Sequence, residues 1–159
     1  MQHTISVLVV NQFGVLSRIS GLFSGRGFNI ESLNVAETNE SGISRMTIIT
    51  RGDDKKIEQI TKQLNKLVDV IKVIDLTEEH FVDRELILVK MNAEARVREE
   101  ILRIVDIFRA KVIDVNHDNY TVEITGDEGK IKGFLDLLKP LGIKEIVRSG
   151  RIAISRGTK

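Results

Sequence analysis

Apolar residues in the segment 5–10, ISVLVV, fall on both alternating faces, which predicts a strand buried above and below. From Val15 the period lengthens. Leu16, Ile19, Leu22 and Phe23 recur at helical spacing while Ser17, Arg18, Ser24 and Arg26 fall elsewhere, so a helix with one packed stripe follows and ends at Gly25-Arg26-Gly27. Residues 28–37 and 43–50 read as strands flanking the turn cluster Thr38-Asn39-Glu40-Ser41-Gly42, a hairpin. Gly52-Asp53-Asp54 then caps a helix that packs Ile57, Ile60, Leu64, Leu67 and Val68, and residues 70–76 form a fourth strand.

This order, βαββαβ, is the split pattern of a ferredoxin-like sandwich, with two helices on one face of an antiparallel sheet. The other face is left uncovered, and the doubly apolar first strand predicts a partner over it. The polar, aperiodic stretch Thr77-Glu78-Glu79-His80-Phe81 reads as linker.

The pattern then repeats. A strand at 85–91 precedes a helix with Val97, Ile101, Ile104, Val105 and Phe108 on one stripe; strands at 111–115 and 120–125 flank the turn Asn116-His117-Asp118-Asn119. Gly126-Asp127 opens a helix with Ile131, Phe134, Leu135 and Leu138 inward; Pro140 with Gly142 is expected to stop it before a last strand at 143–147. The expected fold class is α+β, two ferredoxin-like sandwiches in tandem: residues 1–76, a linker at 77–83, and residues 84–159 with a C-terminal tail.

Composition narrows the function. Charged residues make up 30% of the 159 positions yet leave a net charge of +1, so no global field favours nucleic acid or a membrane surface. Aromatic residues at 4% are too sparse for a base-stacking sheet. There is no cysteine, which excludes disulfides and thiolate metal sites and fits a reducing compartment. No N-terminal segment has signal-peptide or membrane-span character, and the cytoplasm is the expected location. His3, His80 and His117 fall in a terminus, a linker and a turn, and read as exposed residues outside any metal or catalytic site. Arg148, Arg151 and Arg156 in the tail are either a contact for an acidic partner or a solvated extension.

One loop carries candidate chemistry. Asn11-Gln12-Phe13-Gly14 joins the first strand to the first helix, and the helix start offers backbone N–H groups and partial positive charge to a small carboxylate or phosphate. Gly14 equally serves to turn the chain, and the residues by themselves leave both readings open. If it is a site, the side chains of Asn11 and Asn29 orient an ammonium and a carboxylate, and Val15, Leu16 and Ile30 supply an apolar wall. That set suits a free aliphatic amino acid and contains no group able to transform it. The second repeat has Asn92-Ala93-Glu94-Ala95-Arg96-Val97 at the same place, with no glycine, so the ligand loop is expected once.

The run NQFGVLSRISGLFSGRGFNIESLNV resembles the opening of an ACT domain, and in detail it is similar to the small, regulatory subunits of acetohydroxyacid synthase (acetolactate synthase). The likeness continues through Ser44-Arg45-Met46-Thr47, Gln63-Leu64-Asn65-Lys66-Leu67-Val68-Asp69-Val70, Arg84-Glu85-Leu86-Ile87-Leu88-Val89-Lys90, Arg148-Ser149-Gly150 and Ser155-Arg156-Gly157. The resemblance implies that residues 1–76 are an effector-binding ACT domain that forms a homodimer. It implies a non-catalytic chain that binds and activates the large catalytic subunit and confers feedback inhibition by valine or another branched-chain amino acid. It places the effector between Asn11, Gly14, Val15 and Leu16 of one chain and Asn29 and Ile30 of the other. Thiamine diphosphate, magnesium and FAD are expected on the large subunit, with no cofactor on this chain; a stand-alone ACT-type amino-acid sensor is the alternative.

Overall fold

A computed structural model describes residues 1–157. The chain forms two compact units, Met1–Val82 joined by the segment that begins at Arg151, and Asp83–Gly150.

The first unit contains β1 (Gln2–Val10), α1 (Val15–Gly25), β2 (Ile30–Glu37), β3 (Ile43–Arg51), α2 (Asp54–Asn65) and β4 (Val70–Asp75). Its sheet order is β2-β3-β1-β4, antiparallel throughout, as a ferredoxin-like sandwich requires. Asp53 caps α2 through Oδ1, which accepts from Lys56 N at 2.9 Å. The core lies between sheet and helices: Ile5, Val7 and Val9 of β1, Met46 and Ile48 of β3, Val15, Ile19 and Phe23 of α1, and Ile57, Ile60 and Leu64 of α2.

The second unit repeats the topology with β5 (Phe81–Asn92), α3 (Arg98–Ile107), β6 (Lys111–Val115), β7 (Asn119–Gly126), α4 (Glu128–Gly142) and β8 (Ile143–Arg148), ordered β6-β7-β5-β8. Ile87, Val89 and Met91 pack against Ile101, Val105, Ile131 and Leu138, and the Phe108 and Phe134 rings meet edge to face at 5.4 Å. Helix α4 runs through Pro140 and ends at Gly142, just before β8, as the Pro140 and Gly142 pair predicts. So close to the helix end, the missing N–H removes a single bond from the last turn.

Four local expectations fail. β5 starts at Phe81, inside the expected linker, because β9 (Ile152–Ser155) pairs with it and Arg156 N donates to His80 O at 2.8 Å. The tail read as a possible solvated extension therefore supplies a strand, with Ala153 buried, and groups with the first unit. The outer face of the first sheet is also not bare: Thr4, Ser6, Thr47 and Ile49, opposite the helices, are buried within the single chain, and β9 lies against β1. Leu8 and Val10, the apolar residues of that face on β1, are half-buried within the single chain. His3, expected in a loose terminus, is likewise buried as part of β1.

Phe23 has no exposed surface and fills the centre of the first core. Phe23→Ala is expected to lower stability by about 3–5 kcal/mol, whereas Glu58→Ala, which removes only the exposed i,i+4 pair with Lys62, should change it by less than about 0.5 kcal/mol. Urea denaturation of both variants measures the contrast.

Candidate functional site

The loop after β1 is held at both ends by backbone. Asn11 N donates to Gly42 O in the β2–β3 turn at 2.7 Å, Gln12 N to Val10 O at 3.0 Å, and Arg18 N to Gly14 O at 2.9 Å. Gly14 is the N-cap of α1 at φ 80°, a left-handed conformation that disfavours any side chain, and no side chain caps the helix. The first-turn N–H groups of α1 therefore point out of the helix end without intrahelical acceptors. An open surface depression lies beside the loop, lined by Asn11, Gln12 and Phe13.

The expected site residues divide by burial. Asn11 and Gly14 are exposed, Leu16 is 48% exposed, and Val15 is buried in the core, so Val15 has only its backbone to offer. Phe13 is fully exposed. By its spacing Arg18 falls on the wet face of α1. Its guanidinium pairs with Asp69 and sits 3.0 Å from where a Gly14 Cβ would be, which puts a cation directly under the loop. The signal was its position, one helical turn after Gly14.

Asn29 and Ile30 lie elsewhere in the same unit. Val10 pairs with Ile43 at one end of β3, whereas Ile30 and His3 pair with Thr50 at the other. At roughly 3.3 Å per residue, positions 43 and 50 are about 23 Å apart along the strand, too far for one amino acid to span. Asn29 is exposed, with its carbonyl accepting from Thr50 Oγ1 at 2.8 Å; Ile30 is half-buried against the core. Within one chain the loop and the start of β2 are thus separate surfaces.

The start of β2 also carries a charge network. Glu31 accepts from Gln2 Nε2 at 3.0 Å and pairs with Arg51. The Gln2 hydrogen bond, and behind it the Arg51 and Arg151 guanidiniums, hold the Glu31 carboxyl below its usual value against the opposing effect of burial.

Among the described residues, no group of three or more His, Cys, Asp or Glu is placed to hold a metal ion. His3 has Asp54 at 3.4 Å from Nε2 and Asp75 at 3.6 Å from Nδ1, on opposite sides of the ring, so the carboxylates cannot converge on one ion. Also among the described residues, no helix is long and apolar enough to cross a membrane.

Two family models divide the chain as the two folds do: an acetohydroxyacid synthase small subunit-like ACT domain matches residues 5–72, and the small subunit of acetolactate synthase matches residues 84–157. The probable acetolactate synthase small subunit of Archaeoglobus fulgidus is 52% identical, over 100% of this chain and 99% of its own length. This chain belongs to the acetolactate synthase small-subunit family. The Aquifex aeolicus member is 54% identical over 98% of this chain and 81% of its own. The crystal structure of the small subunit from Thermotoga maritima superposes with a TM-score of 0.90 at 42% identity, covering 100% of this chain and 99% of that one. The acetolactate synthase small-subunit fold thus accounts for both repeats.

Because the folded-state value of Glu31 is lowered, its stabilising contribution is complete above the unfolded value near 4.5 and is lost as pH falls through the lower, folded one. The stability difference between wild type and Glu31→Gln should therefore shrink on acidification below that value, measured as the gap between their urea midpoints along a pH series.

Proposed function

We propose that this chain is the non-catalytic regulatory subunit of acetolactate synthase in branched-chain amino-acid biosynthesis, that it activates the large catalytic subunit, and that it mediates feedback inhibition by valine. Thiamine diphosphate, magnesium and FAD belong, in this reading, to the large subunit. The observation that carries the site assignment is the strand register. The anion-accepting loop and Asn29 are at opposite ends of one sheet, so they can act on one ligand only if a second copy, related by a two-fold axis, brings its β2 start to the loop.

The chemistry then follows from the groups present. The N–H groups at the start of α1, with Arg18 beneath them, take the carboxylate of valine. The side-chain carbonyls of Asn11 and Asn29 accept from its ammonium, and Leu16 with the partner copy's equivalent of Ile30 encloses the isopropyl group. Valine binding favours one arrangement of the ACT dimer, and the large subunit turns over differently against that arrangement; such coupling is typically about 1–3 kcal/mol.

Mixing the purified chain with the large subunit should raise acetolactate formation, and titrated valine should then lower it. Valine binding with no effect on turnover points instead to a stand-alone sensor. Gly14→Asp puts a carboxylate where the valine carboxylate docks and strains a left-handed position; it should abolish valine inhibition and leave activation in place. Asn29→Ala should weaken valine binding roughly 5- to 30-fold, the loss of about 1–2 kcal/mol from an amide partner. Normal calorimetric binding by both variants would place the effector elsewhere.

A further inference from the structure

The C-terminal segment is fastened to the first sheet by hydrogen bonds of Arg151, while its strand β9 pairs with β5. Arg151 N donates to Ser32 Oγ at 3.2 Å, and its guanidinium donates to Gln2 Oε1 at 2.8 Å. Gln2 donates onward to Glu31, which pairs with Arg51. Arg151 is thereby linked to β1 and β2 directly and to β3 through Glu31.

On the other side of Gly150 the second unit closes on itself. Arg148 Nε and Nη2 donate to Oε1 of buried Glu85 at 3.0 and 2.6 Å. Leu86 N donates to Ser149 Oγ at 3.1 Å, and Ser149 N to Leu86 O at 3.0 Å. Between the two fastenings sits Gly150 at φ 84°, a conformation that accommodates a side chain poorly. The chain thus passes between the units twice, at Val82–Asp83 and at Gly150–Arg151.

Ser32, which accepts from Arg151 N, and Glu31, which accepts from Gln2, directly follow Asn29 and Ile30 in the chain. A ligand gripping the start of β2 acts on the same stretch of backbone that carries Glu31 and Ser32. We propose that Arg151 couples occupancy of the effector site to the second unit, the C-terminal strand serving as a second tether beside the Val82–Asp83 connection. This rests on the effector reading above. The second unit is joined to the first at both ends, and the second junction is bonded through Arg151 to Gln2 and Ser32 of the sheet that carries Ile30, so a change in the state of that sheet reaches the second unit through Arg151.

Arg151→Ala in the full chain, reconstituted with the large subunit, tests the role. Calorimetry should give a valine Kd within about twofold of wild type, while the ratio of uninhibited to valine-saturated turnover falls roughly tenfold, within the usual span of allosteric coupling. Gln2→Leu removes the same bond from the other side and should behave alike. In wild type, added valine should slow hydrogen exchange of the amides at 152–155, a response that a merely structural strand does not give, and this readout stands even if the variants fold poorly. Inhibition curves that superimpose on wild type, or exchange indifferent to valine, overturn the coupling role alone. A wild-type chain that binds no branched-chain amino acid overturns the effector reading and this inference together.

Discussion

β1 lies between β3 and β4, so its backbone groups are bonded on both sides while its side chains are buried on both faces. Ile5, Val7 and Val9 meet the helices, and Thr4 and Ser6 are buried on the far face. A strand enclosed in this way cannot slip, because a shift of one residue would bring Thr4 and Ser6 into the helix-packed core and turn Ile5 and Val7 away from it. The pairing of Val10 with Ile43 and of His3 with Thr50 follows, and with it the position of everything attached to the sheet.

That register sets what each end of the sheet can do. At the end marked by Val10 the chain leaves β1 into a loop whose amides are braced by Gly42 and whose turn is made by Gly14. Arg18, aligned by its pair with Asp69, adds a cation there. At the far end, Asn29 is presented beside a network of Gln2, Glu31, Arg51 and Arg151 that joins three strands to the C-terminal segment. The glycine-turned loop and the exposed amide of Asn29 therefore lie at opposite ends of one sheet.

The second unit shares the topology without the loop chemistry. Where the first repeat has Gly14 as the left-handed N-cap of α1, the second has Val97 before α3, with Glu99 and Glu100 in the first turn. Acidic residues there stabilise the helix dipole and repel a carboxylate. Glu85 is buried and paired with Arg148, which ties the first and last strands of this unit together at the point where the chain enters and leaves it. The tripeptide Arg148-Ser149-Gly150, a point of family likeness in the sequence, thereby has a physical content: a salt bridge, a backbone anchor and a turn.

Local periodicity determined the two βαββαβ repeats, the Asp53 and Asp127 caps and most of each inward stripe, because side-chain spacing along a helix or strand is written in adjacent residues; Leu16 and Val68, expected to pack, are exposed, Val68 because α2 ends at Asn65. The loop at residues 11–14 was legible for the same reason, since a glycine between a buried strand and an amphipathic stripe marks the helix start. Only the tertiary structure decided that Arg18 lies under that loop, that Val15 turns inward, that His3 is buried, and that Asn29 is a sheet's length from Gly14. It alone revealed that residues 152–155 return to pair with β5, as a four-residue strand with two exposed isoleucines has no amphipathic pattern strong enough to announce its partner. These are contacts between residues far apart in the chain, and they depend on strand order and register, which no local spacing encodes.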